Sequence, residues 1–108
     1  MPFYNWDNVE VQAISDRVSR LIVGGEEVMM AMYKAKAGAR AEPHQHDYEQ
    51  IFCVLSGAWR FRVGDEERVI RAGDVVHIPS NVEHVGEVLE DVVAVGAIRQ
   101  RAIDTHMA

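Results

Sequence analysis

The chain has one cysteine, Cys53, in 108 residues, so an internal disulfide and a Cys/His zinc ribbon are both excluded. Its neighbours Ile51-Phe52 and Val54-Leu55 are apolar, which reads as a buried thiol rather than a reactive one. Basic residues are few: 11 Lys and Arg stand against 17 Asp and Glu, for a net charge of -6. A pI near 5.3 argues against nucleic acid as a partner, because phosphates want a basic face. The same charge disfavours an anionic membrane surface. No run approaches the ~20 apolar residues of a membrane span. The segment Met1–Asp7 has no basic stretch followed by an apolar one, so it does not read as a signal peptide. A cytoplasmic protein is the resulting expectation. No Gly-rich phosphate loop, nucleophile elbow, linker, repeat or low-complexity segment is present. Long runs with a 3.6-residue period are also missing, so helix should be minor, with a turn near Trp6–Asn8.

Apolar residues make up 48% of the chain, enough for a packed core, and the length fits one domain over residues 1–108. Gly24-Gly25, Gly38, Ser56-Gly57, Gly64-Asp65, Gly73-Asp74 and Pro79-Ser80-Asn81 punctuate it at short intervals. Each interval holds a short apolar or alternating run, the rhythm of an all-β sandwich or barrel. The expected strands are Val9–Ile14, Val18–Val23, Glu27–Ala35, Ala41–His44, Glu49–Leu55, Ala58–Val63, Glu66–Arg71, Asp74–Ile78, Glu83–Leu89 and Val92–Ile98. Alternation is clearest at Trp59-Arg60-Phe61-Arg62-Val63, followed by a hairpin loop at Gly64. Arg60, Arg62, Arg68 and Arg71, interleaved with Glu66 and Glu67, suit a solvated sheet face.

His44 and His46 are one residue apart and point the same way on an extended chain. Gln50 has the same parity, and His84 follows a separate strand signal. Three imidazoles and an amide oxygen converging from two strands would make a facial metal site with open positions.

These residues also spell a familiar pattern. Gly38, His44-Gln45-His46, Gln50 and Gly57 resemble the first signature motif of the cupins. Gly73-Asp74, Pro79, Asn81 and His84 resemble the second. The resemblance covers about residues 28–98. It implies a double-stranded β-helix, the cupin jelly-roll barrel. It implies one divalent metal ion (Ni, Zn, Fe, Mn, Co or Cu) held by His44, His46, Gln50 and His84. It also implies a homodimer, for which Val9–Val23 is the expected pairing segment. Gln50 stands where most cupins carry glutamate, and Asn81 where the motif has glycine, a position asparagine tolerates. The His/His/Gln/His set is similar to a subgroup that includes the pectin- and alginate-pathway cupins that linearise unsaturated uronates. Those carry an Asp-x-Phe pair and a following arginine. Counting from His84, the Asp position falls on Gly96, the Phe on Ile98 and the Arg near Ala102, with Arg99 and Arg101 out of register.

Gln50 in place of a carboxylate has two readings: the bound ion would keep its full charge and favour anionic ligands, or the glutamine simply conserves the ligand geometry. Parity nominates Phe52 and Val54, Met30 and Met32, Trp59 and Phe61, Val76 and Ile78, and Val93 and Val95 as inward residues. Among these, Met30, Met32, Phe52, Trp59 and Phe61, with Tyr48 at the mouth, are the candidate walls of a largely apolar substrate pocket. His77 reads as a surface residue, as do Glu42, Asp47, Glu49 and Glu83. Two functions compete, a Lewis-acid metalloenzyme acting on a small anionic oxygenated molecule by isomerisation or ring opening, and a metal-anchored binding module without turnover. A metal-dependent dioxygenase is a variant of the first. In each case the partner is a small molecule.

Overall fold

The computed structural model describes residues 2–99. Arg101 and Ala102 lie outside the described residues. A short 3-10 turn, Trp6–Asn8, opens the chain, its first amide held by the Asn5 side chain (Asp7 N–H to Asn5 Oδ1, 2.8 Å). Seven strands follow: β1 Gln12–Ala13, β2 Val18–Gly24, β3 Val28–Ala35, β4 Gln50–Val63, β5 Glu66–Arg71, β6 Val75–Ile78 and β7 His84–Arg99. They form one antiparallel sheet in the order β1-β2-β3-β7-β4-β5, with β6 pairing the first residues of β4 on the same edge as β5. The fold is all-β, as the turn rhythm requires, with the architecture of a jelly-roll barrel. No helix among the described residues is long and apolar enough to cross a membrane.

The expected strands on either side of Ser56-Gly57 are a single strand, β4, and those on either side of Glu90-Asp91 are a single strand, β7. The two pair along their whole length, from Ile51↔Ala97 to Val63↔His84, with register shifts between Val54 and Trp59. Bulges bend a paired strand without ending it, so a turn-like dipeptide here marks a bend. Gly57 lies at φ 93°. A Cβ on it would come 2.0 Å from the Asp91 carbonyl oxygen. The bend therefore requires glycine twice over, for its φ angle and for its close approach.

Two other expected strands are shorter than anticipated. Ala41–His44 is reduced to isolated bridges, Arg40↔Glu87 and His44↔His84. Pro43 has no N–H to give a continuous ladder. The Val9–Ile14 run keeps only the two exposed residues of β1.

The core gathers Ala35, Phe52, Val54, Phe61, Ile70, Ile78, Val88, Val92 and Ala94 from five strands. Phe52, Trp59 and Phe61 meet in tilted and edge-on contacts at 5.0–5.3 Å between centroids, each worth ~0.5–1.5 kcal/mol beyond burial. The Trp59 indole crosses the bare backbone of Gly86, where a Cβ would lie 2.3 Å from Nε1.

Two parity assignments are reversed. Met29 and Ala31 face inward, whereas Met30 is 49% exposed and Met32 is half-buried on the outer face. Likewise Val92 and Ala94 face inward, and Val93 and Val95 do not. Both runs are apolar at every position, so only the pairing register decides which set is inside. The arginine partners also differ from the expected ones. Arg60, Arg62 and Arg71 pair with Glu87, Glu83 and Glu90 around β7, and only Arg68 pairs with Glu66.

Gly57→Ala should cost at least about 2 kcal/mol, combining the left-handed strain with the clash, and lower Tm by roughly 8 °C or more. Gly73→Ala is the comparison. Gly73 has a similar φ of 92° but nothing within 4 Å of the added carbon. Thermal unfolding of both separates strain from contact.

Candidate metal centre

Three histidines converge from segments far apart in sequence. His84 is the first residue of β7, and His44 is bridged to it by a pair of backbone hydrogen bonds (His44 N–H to His84 O, 3.1 Å; His84 N–H to His44 O, 2.9 Å). His46 lies two residues on, in irregular chain. Asn81, at φ 63°, holds that stretch by donating its N–H to the His46 carbonyl at 2.7 Å. Asparagine suits the left-handed turn, in keeping with its place in the motif. One ring nitrogen from each of His44, His46 and His84 lies within 4.8 Å of the others.

The orientation of the rings follows from their hydrogen bonds. Each Nδ1 sits against the backbone carbonyl of a residue two positions away. The distances are 3.1 Å for His44 to Glu42, 2.9 Å for His46 to Tyr48 and 3.0 Å for His84 to Val82. A carbonyl oxygen only accepts, so each Nδ1 must carry the proton and donate it. In a neutral ring the lone pair is then on Nε2, the form that ligates metals. Burial pushes the His84 pKa down to about 4, helped by His44 and His46 and opposed by the Val82 carbonyl. His84 is therefore a neutral donor at ordinary pH. Residues 44, 46 and 84 fit a divalent ion.

Gln50 begins β4 and is buried, paired in register with Ile78. It lines the same cavity as His44 and His84. The structure thus places an uncharged amide in the cavity that His44 and His84 line. A bound ion would be held in a cavity of about 340 Å³.

The cavity walls agree only partly with the sequence expectation. Phe52, Trp59 and Phe61 line it, and Met30 and Met32 do not. Tyr48 is buried but backs His46 from behind, its ring stacked on the imidazole at 4.0 Å and 4°. It packs with Met29 and Ile98, and the Arg99 guanidinium lies 5.9 Å from its ring centroid. Burial, with Tyr33 and Asp47 nearby, raises the Tyr48 pKa to about 12. The carbonyl of Tyr48, rather than its hydroxyl, serves the centre. His77 is on the surface, paired with Glu49 at 2.9 Å, and Asp47 reaches Arg99 at 3.6 Å.

Sequence reasoning missed Tyr33, Arg40 and the β1–β2 turn residues Ile14, Ser15 and Val18, all of which line the cavity. Tyr33 faces inward in the same register that turns Met32 outward. Gly96, at the position of the relatives' acid, is packed shut. A Cβ there would come 2.4 Å from the Ile51 carbonyl oxygen and 2.7 Å from Phe52 Cβ.

With this geometry in hand, the comparisons with known proteins are decisive about family. A family model described as "Cupin domain" matches residues 31–95, which include all three histidines and Gln50. The chain belongs to the cupins. An RmlC-like cupin from Shewanella frigidimarina superposes with a TM-score of 0.89 over 98% of this chain and 96% of that one, at 21% identity, a likeness of fold. KdgF from Halomonas sp. superposes with a TM-score of 0.87 at 28% identity, over 96% of this chain and 99% of its own. A Bacillus subtilis protein named "H2HPP isomerase" is 34% identical over 104 residues, covering 94% of this chain. This cupin spans 41% of that relative's length.

Purified protein should carry close to one divalent metal per chain by elemental analysis. His84→Ala and Gln50→Ala should both weaken retention on dialysis. The histidine change should exceed the roughly 10–100-fold lost when only an outer partner of a ligand is removed. A chain that takes up no Ni, Zn, Mn, Co, Cu or Fe salt would contradict this assignment.

Proposed function

We propose that this cupin is a metal-dependent enzyme of the isomerase or ring-opening type, acting on a small anionic oxygenated molecule. The observation that carries the reading is the set of Nδ1–carbonyl bonds. It leaves three imidazole lone pairs grouped together, two of them, from His44 and His84, at the wall of an apolar cavity that Gln50 also lines. The ligands proposed are His44, His46, Gln50 and His84. When bound, the ion would supply Lewis-acid polarisation of a substrate oxygen. The name of the isomerase relative supports the reaction class.

The chain's own residues do the rest. The carbonyls that accept from Nδ1 turn Nε2 of His44, His46 and His84 toward the centre, and burial keeps His84 neutral. Phe52, Trp59, Phe61 and Ile78 exclude water from the cavity, which strengthens electrostatic interactions inside it. Gly96 has no side chain to move a proton, so another group must. Tyr33 lines the cavity, and burial raises its pKa above the usual value, against the opposing charge of Arg20. Its Oη therefore holds a proton at neutral pH and is placed to donate it. The bare Gly96 also favours the second reading, a binding module without turnover.

Proton NMR of metal-loaded protein in D₂O, with a panel of 2-oxo acids and unsaturated uronates, tests the choice. Metal-dependent rearrangement or solvent-deuterium incorporation is expected, lost on metal removal and reduced at least tenfold in Tyr33→Phe. Binding without either change would establish the module instead. Consumption of oxygen would move the reading to the dioxygenase variant.

The homodimer belongs to the same proposal, as does a cytoplasmic setting. The partner is a second copy of the chain, and its seat is the outer sheet face. There Met30, Ala97 and Ile51 form one cross-strand row, and Met32, Val95, Cys53 and Val75 form the next. Neither row contains a carboxylate, which suits contact between two chains of net charge -6. The two exposed residues of β1 offer much less. Light scattering should give a dimer, and Ile51→Glu should yield a folded monomer.

A further inference from the structure

The cavity has a polar inventory that differs from that of a sugar site. Its lining includes Ser15, Tyr33, Arg40, His44, Gln50 and His84, and the other lining residues are apolar or glycine. Among the described residues no carboxylate lines it, and Arg40 is the only one lining it with a permanent charge. Arg40 is exposed at the rim and makes no ion pair among the described residues. Its backbone neighbour across the bridge, Glu87, gives its carboxylate to Arg60 at 2.9 Å instead. Two other nearby cations do not line the cavity: Arg17 donates from Nη1 to the Ala37 carbonyl at 2.8 Å, and Arg20 donates from Nε to Gln12 Oε1 at 2.9 Å. Ser15 Oγ already accepts from the amides of Arg17 and Val18, which leaves its O–H to donate.

We propose that Arg40 selects the ligand's charge, and that the cavity takes a small carboxylate with an apolar aromatic or aliphatic body rather than a polyhydroxylated sugar acid. The inference rests on the metal-cavity reading above. The segment from Arg40 to His44 runs antiparallel to the start of β7, bridged to it at both ends. It brings Arg40 and the imidazoles of His44 and His84 to the lining of one cavity. Guanidinium donors match a carboxylate in fork geometry. Phe52, Trp59, Phe61, Val88 and Val18 also line the cavity and offer area but no hydrogen-bond partner for ring hydroxyls, apart from the Trp59 indole N–H on the inner side of Gly86. Burying unpaired hydroxyls there would be costly. The volume of about 340 Å³ equals roughly eleven waters at ~30 Å³ each, the size of a monocyclic acid.

The test is calorimetric binding to protein of measured metal content, with three probes: 3-phenylpropionate, the neutral 3-phenylpropionamide and galacturonate. The aryl acid should bind at least tenfold more tightly than either competitor. Arg40→Gln should erase most of the acid-over-amide preference, and Arg40→Lys should restore part of it. The same ratio is measured in a His84→Ala background. Loss of the preference on Arg40→Gln there, with no metal present, upholds Arg40 even if the metal reading fails. Full metal content with an acid-over-amide ratio unmoved by Arg40→Gln overturns the proposal while leaving the metal centre intact. Galacturonate binding as tightly as the aryl acid overturns the apolar-body half.

Discussion

The ladder between β4 and β7 is the constraint on which everything else hangs. Its 14 and 16 residues are the longest elements, and each contributes to both halves of the barrel. Laid flat, β4 would separate Gln50 from the Val63↔His84 pair by roughly 40 Å at ~3.3 Å per residue. Both Gln50 and His84 nonetheless line one cavity. The bulges between Val54 and Trp59, seated on the bare Gly57 against Asp91, let the strands bend without losing their ladder. Local backbone geometry far from the histidines thus decides whether a donor set exists.

The site itself is built largely from main chain. Three carbonyls orient three imidazoles, and an asparagine in a left-handed turn holds the loop that carries His46. Carbonyls do not titrate, so the tautomers are set independently of any side-chain charge. With Gln50 as the fourth candidate donor, nothing in the set offsets a bound cation. Arg40 adds positive charge at the rim. The electrostatics of the cavity are of one sign, in a chain whose overall charge is of the other, and that contrast favours a small anion inside over the surrounding surface.

Much of this was legible before any coordinates. The His-x-His pair, Gln50 and His84 are rare residue types at informative spacings, and their convergence needs only the family's barrel. Trp59 and Phe61 were readable because they alternate with Arg60 and Arg62, and Phe52 because it shares the parity of Gln50. Met30 and Met32 were not, because Val28-Met29-Met30-Ala31-Met32 has no polar residue to mark its outer face. The same ambiguity hid Tyr33, whose inward direction is visible only once β3 is registered against β2 and β7. Tyr48 was misjudged differently. Its place beside the ligands was clear, but the chain there is irregular, and its ring turned back to stack on His46.

The sequence by itself determined the all-β class, the family and the chemical identity of the donors, because these depend on residue type and short spacing. Only the tertiary structure decided which face of each apolar run is the inside. It also decided that Gly96 is closed to a side chain and that Arg40 is left without a carboxylate while Glu87 is taken by Arg60. Those outcomes depend on strand register and on the bend in one long ladder. Both are set by contacts between residues tens of positions apart, and no local pattern encodes them.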